Sequence, residues 1–302
     1  MSTQTPTADP LFAQPRADRP AYATGMLLDA QDFSDEQTYH RGRLARALAF
    51  LAGGGTLAGL GVSHVPEAAG QPEEIRVEPG LAVDRLGRLV EIPRPACLRL
   101  PRWWTATAQS DGGDALGQAA YDNLGRFVSA RFTDSAVALP ARAVVADVFI
   151  RFAACEVGLT PSFAAGPFDA LNAVATSRLR DAWELLLVPR PALDDAYSGL
   201  PLPPGAPVVG DPTATPAARR DAIQDAVLGG YGGLGRAGGS GGLAPAPEHP
   251  ADLDRSAVFL ARVLIPVDAA TPPVRTAELP LVDNFARRFL PPAALFAQWA
   301  GL

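Results

Sequence analysis

Residues 25–48 read GMLLDAQDFSDEQTYHRGRLARAL, and past a run of glycines the chain continues as GLGVSHVPE over 59–67 and VEPGLAVDRLGRLVEIP over 77–93. In the first of these, Phe33, Leu44, Ala47, Leu48 and Leu51 fall at helical steps, which predicts a helix over 29–51 with an apolar stripe facing a core. Gly53, Gly54 and Gly55 end it. In the last, Ile75, Val77, Leu81 and Val83 alternate with polar or turn residues, and Pro79-Gly80 interrupts the run. Arg85 to Arg88 reverse the chain into a partner strand over 89–92.

Working outward, 97–100 adds a further strand, whereas 103–123 is rich in Gly, Ala and polar residues and reads as an insertion or a loosely ordered loop. A strand follows over 144–152. The pattern at 168–180 is helical and leads into a buried strand at 185–188. Residues 189–250 are dense in Pro and Gly, with one helix over 216–228, and are too long for an ordinary connection. That length predicts an exposed functional insertion or a partly disordered segment. A continuous apolar strand over 257–266 and a short helix over 290–299 close the chain. The predicted fold is therefore α+β: an N-terminal amphipathic helix packed on short antiparallel strands, then a second β-containing portion with a Gly/Pro-rich insertion. The expected divisions are a flexible arm at 1–20, a helix-plus-strand domain at 21–140, and a second β-rich portion at 141–302 carrying the insertion at 189–250.

Composition narrows the function class. With 302 residues, 48% hydrophobic and 19% charged, the chain is globular and long enough for two modest cores. Net charge is −6 and basic residues cluster no further than pairs such as Arg219-Arg220 and Arg287-Arg288, so nucleic acid is not an expected partner. No apolar run approaches the roughly 20 residues of a membrane span. The N-terminus has neither a basic start nor an apolar centre, so a cytoplasmic location is expected. Cys97 and Cys155 lack metal or redox spacing and read as buried small hydrophobes.

Chemical motifs are weak. Gly233, Gly235 and Gly238 have dinucleotide spacing, but a helix precedes them and more glycine follows, so a low-complexity reading is preferred. Asp32, Glu36 and His40 stand at four-residue steps, a pattern that also serves a helix dipole. His64 and His249 lie in proline-bearing loops without a recognisable nucleophile. No catalytic, cofactor or metal residue is assigned. Trp103 and Trp104 fit either an exposed aromatic contact or a pair with one ring in the core. Arg178 and Arg180 fit either interface ion pairs or a solvated face.

Gly25-Met26-Leu27-Leu28-Asp29 with Asp32-Phe33, Glu36-Gln37 and Tyr39 resembles the opening of a bacterial family that accompanies phage tails and contractile injection systems. Gly59-Leu60-Gly61-Val62 and Pro79-Gly80-Leu81-Ala82-Val83-Asp84 with Gly87-Arg88 are similar to its next segments. Ser177 to Asp181 with Trp183-Glu184-Leu185 looks like a later one. The resemblance implies a structural baseplate or tail accessory part, assembled with other baseplate, tail, sheath or tube proteins and homo-oligomeric within the particle. It implies no catalytic residue. The interface candidates are Phe33, Tyr39, Trp103, Trp104, Arg178 and Arg180. The competing expectations are a fibre-like module recognising glycan or a host surface, with the tryptophans as contacts, and a tail-associated hydrolase.

Overall fold

A computed structural model describes residues 9, 11, 18–110, 114–161, 174–194, 196–201, 207–233 and 243–299. Helix α1 (Ala30–Leu51) leads into six short strands: β1 (Gly55–Gly59), β2 (Val62–Val65), β3 (Glu74–Val77), β4 (Gly80–Val83), β5 (Leu89–Ile92) and β6 (Ala96–Arg99). Helices α2 (Leu100–Ser110) and α3 (Asp114–Gln118), strand β7 (Ala120–Asp122) and helix α4 (Ala130–Asp134) precede two long strands, β8 (Arg142–Pro161) and β9 (Val174–Pro189). Helices α5 (Pro207–Gly210) and α6 (Pro216–Gly233), strands β10 (Val258–Pro266) and β11 (Leu281–Asp283), and helix α7 (Ala293–Trp299) complete the order. The fold is α+β, as the sequence predicts.

The strands form three antiparallel sheets, β1-β4-β5, β2-β3-β6, and a larger one in the order β11-β10-β8. In that larger sheet the far edge of β8 is shared: β7 covers 142–144 and β9 takes over from Ala146. Leu60 sits at φ 57 between β1 and β2, which lets the chain step from one small sheet to the other. The principal apolar cluster draws Ile75, Val77, Val90 and Ile92 from the small sheets and Val148, Ile150, Leu260 and Val263 from the large one. Residues on both sides of 140 therefore share one cluster. Because β8 is also covered on its other face, 143–150 is wholly buried and apolar except for Asp147.

That second face holds a charged pair. Arg262 on β10 stands opposite Asp147 in register, and its guanidinium meets both carboxylate oxygens at 2.8 and 2.9 Å. Both side chains are fully buried. The remaining donors bind the carbonyls of Phe127 at 3.0 Å, Ser198 at 2.7 Å and Gly199 at 3.3 Å, so every polar group has a partner and the covering loops are fixed to the sheet. Arg190, 3.4 Å from the same aspartate, binds the carbonyls of Pro247 and Glu248. The two flanks of the Gly/Pro-rich region are thus packed, with Leu193 and Leu243 buried, while α6 between them exposes Val227 and Leu228.

Four local expectations are corrected. The stripe of α1 is not a core face: Phe33, Leu44 and Leu51 are 50%, 59% and 87% exposed, and the buried positions are Ala45 and Ala49. Small residues win there because the helix lies directly on backbone, and a leucine would hold it off. Residues 174–180 are strand, not helix, since pairing with β8 satisfies their backbone and overrides a local pattern; 168–173 lie outside the described residues. Residues 103–110 and 114–118 are helical, not loop, with Leu116 buried. Cys97 and Cys155 are exposed free thiols, not buried hydrophobes.

Candidate functional site

Two features at the same end of the large sheet stand out, and both depend on how far β8 and β9 run. Their register is unbroken from Ala146 opposite Pro189 to Pro161 opposite Val174. Strand β10 leaves β8 at Ile150, and among the described residues no strand pairs with β8 on that side beyond it. Residues 153–161 and 174–182 consequently continue as a two-stranded ribbon, about 30 Å long at ~3.3 Å per residue, with both edges unpaired among the described residues. Leu159, Val174 and Leu179 are 73%, 56% and 61% exposed on it.

The root of the ribbon is held by side chains. Trp183 packs against the principal core, Arg151 donates to Glu184 at 2.6 Å, and the Trp103 indole N–H donates to the Leu187 carbonyl at 2.7 Å. Further out such ties are few: the Thr176 hydroxyl donates to Glu156 at 2.7 Å and the Ser177 hydroxyl to the Val157 carbonyl at 3.3 Å.

The second feature is a crevice of about 130 Å³ where the ribbon leaves the body, lined by Arg41, Leu44 and Leu48 of α1, Gly87 to Leu89, Phe152 and Asp181. Leu11 of the N-terminal segment forms part of its wall and is only 3% exposed. Asp9 stands two residues earlier. One of its oxygens accepts from Arg88 Nη1 at 3.0 Å and Arg41 Nη2 at 3.3 Å, and the other accepts from the Leu11 backbone N–H at 3.0 Å. Arg88 is itself built in: Nε binds Asp84 at 2.6 Å, Nη2 binds Ser256 at 2.9 Å, and the guanidinium lies 4.6 Å from the Phe152 ring centroid. Part of the expected flexible arm is therefore docked; residues 1–8, 10 and 12–17 lie outside the described residues.

The six predicted interface residues do not converge. Phe33 projects from α1, and Tyr39 on the same helix is half-buried, its ring meeting His40 edge-on with Arg43 5.3 Å from its centroid. Trp103 and Trp104, 6.4 Å apart and T-shaped, both pack on the core. Arg178 and Arg180 are exposed on the ribbon, opposite Val157 and Cys155. The pairing of Asp9 with Arg41 and Arg88 was missed from sequence, because an Asp-x-Leu in a polar, proline-bearing segment carries no periodic signal.

Other polar groups have structural partners. Asp32 completes the capping box of α1 with Asp29, and Glu36 accepts from the Tyr22 hydroxyl at 2.6 Å. His64 stands in strand β2 opposite Ile75, not in a loop, because pairing with β3 satisfies its backbone; its ring lies 2.8 Å from Glu73, whose two oxygens bind Arg275 at 2.6 and 2.7 Å. Burial pushes the Glu73 carboxyl up, but the hydrogen bonds from Arg275 and His64 outweigh it and hold it below the usual range. Burial likewise lowers the Arg287 guanidinium to about 10. Among the described residues no group of three or more His, Cys, Asp or Glu is placed to hold a metal ion, and no helix is long and apolar enough to cross a membrane. Gly235 and Gly238 of the dinucleotide-like spacing lie outside those residues, and Gly233 ends α6. No family model and no curated protein matches the chain.

Proposed function

We propose that this chain is a structural component of a phage-tail-like contractile injection particle, a baseplate or tail accessory part that acts through protein–protein assembly. The observation that carries the assembly half is the ribbon. An isolated pair of strands is marginally stable in water, and unpaired edges with exposed apolar side chains invite pairing with another chain. Burying Leu159, Val174 and Leu179 against another protein would stabilise such a ribbon. The particle half rests on the resemblance of the segments at 25–39, 59–62, 79–88 and 177–185.

Cys155 and Arg180 are register partners, so an Asn-Gly turn joining them removes residues 156–179 without disturbing the sheet below. The trimmed and intact chains are co-expressed with sheath, tube and baseplate genes of the particle, and the sedimenting material is analysed. The trimmed chain is expected to keep the melting transition of the body and to be lost from the particle. Equal sedimentation of the two chains, or absence of the intact chain from the particle, overturns the reading.

A further inference from the structure

We infer that the crevice at the root of the ribbon is a receptor site for a short Asp-x-Leu segment, and that residues 9–11 of one copy fill the crevice of a second copy in the assembly. The site has two parts. Arg41 and Arg88 form a cationic clamp for one carboxylate, and beside it Leu44, Leu48, Leu89 and Phe152 line an apolar hole. The segment matches both: Asp9 in the clamp keeps only 9% of its side chain exposed, and Leu11 packs as part of the apolar wall at 3% exposure. The bond from the Leu11 N–H to Asp9 sets the two side chains at the spacing the crevice requires.

Charge and tether both favour exchange. Arg88 is buried and held by Asp84 at Nε and Ser256 at Nη2, and the Asp9 carboxylate adds a charged contact at Nη1. Any chain supplying that carboxylate two residues before a leucine offers the same contact. Between Leu11 and α1 lie 18 residues, which reach at most roughly 60 Å. The described part of that connection, residues 18–29, is exposed almost throughout and contributes nothing to the buried core to fix which copy the segment serves. A tether of this length gives its own segment an effective concentration of only about millimolar. Neighbouring copies packed in a particle supply the segment at comparable concentration, so cis and exchanged docking compete on equal terms. Exchange within a particle rests on the assembly reading above; recognition of the segment does not.

The test uses full-length chains. A labelled peptide of residues 5–17, TPTADPLFAQPRA, is titrated against the chain carrying Asp9→Lys and Leu11→Asp, whose own segment no longer competes. Binding is expected, and loss of a charge-assisted contact should weaken it by about 10- to 100-fold when the peptide carries Asp9→Ala or the receptor chain also carries Arg41→Glu. Arg41 is chosen because it is partly exposed and Asp84 still holds Arg88, so folding is retained and checked by an unchanged melt. No binding by a folded receptor overturns recognition. For exchange, the segment-defective chain and a differently tagged Arg41→Glu chain are mixed. Each is expected to remain monomeric alone and the two to co-purify. Peptide binding without co-purification confines the contact to a single chain and overturns exchange.

Discussion

Gly87 lies directly beneath the backbone of Ala45: a Cβ at residue 87 would stand 1.7 Å from the Ala45 carbonyl oxygen, and Gly87 itself is at φ 87. The turn between β4 and β5 and the second turn from the end of α1 therefore meet backbone to backbone. This contact seats the helix, with Ala45 and Ala49 as its only buried side chains.

Gly87→Ala should accordingly release α1 without unfolding the sheets, because both the close approach and the left-handed backbone exclude a side chain. Limited proteolysis is expected to cut within 30–51 in the variant and not in the parent, with most of the body's melting transition retained. Loss of the whole cooperative transition would show that α1 is part of the folding unit.

Leu51→Gln should change stability by less than about 1 kcal/mol, as befits a side chain that is 87% exposed. Ile75→Ala, fully buried in the principal core, should cost about 2–5 kcal/mol. Urea titrations of the two variants compare them directly; a large loss from the first would mean that the helix face is covered in the isolated chain.

Arg262→Met leaves Asp147 buried with Arg190 alone at 3.4 Å, and should destabilise the fold by about 3–5 kcal/mol. Adding Asp147→Leu removes the stranded charge and should restore part of that loss. The double-mutant cycle, measured by chemical denaturation, reads the coupling; additive losses would contradict a bonded pair.

Acid should weaken the fold in two steps. His249 is held below its ordinary value, chiefly because burial against Phe149 disfavours the cation, although the Ala257 carbonyl and Glu248 favour it and Arg85 and Arg288 oppose it. The unfolded chain then takes up this proton first, so stability falls as the pH drops below about 6.5 and levels off below the depressed folded value. His249→Gln should flatten that step. Glu73, also depressed, contributes stability that is present above the ordinary carboxylate value near 4.5 and lost as pH falls through its folded value. Melting temperatures across pH 8 to 3 would show both, and a His249→Gln profile identical to the parent's above about pH 5 would remove the first assignment.

Much of the fold was legible locally. The helical spacing and terminal glycines placed α1 within a residue of its observed ends, and the Pro79-Gly80 break and the reversal at Arg85 to Arg88 separated β3, β4 and β5. The apolar run of β10 announced a buried strand. These signals sit in neighbouring residues, where backbone sterics and side-chain alternation act. What failed was anything needing a distant partner: Val174 to Arg180 became strand because β8 lies beside it, and Phe33, Leu44 and Leu51 stayed half or more exposed because the seat on Gly87 admits only alanines.

The sequence by itself determined the class of the fold, the positions of β3 to β6 and the ends of the first helix, because helical spacing, strand alternation and turn chemistry are properties of a few adjacent residues. Only the tertiary structure decided that β8 and β9 outrun their sheet, that Asp147 and Arg262 meet across 115 residues, and that Asp9 reaches Arg88 across 79. Such contacts exist only once the chain has closed on itself, since burial makes an unpaired charge costly and so selects the partner that the local pattern leaves unnamed.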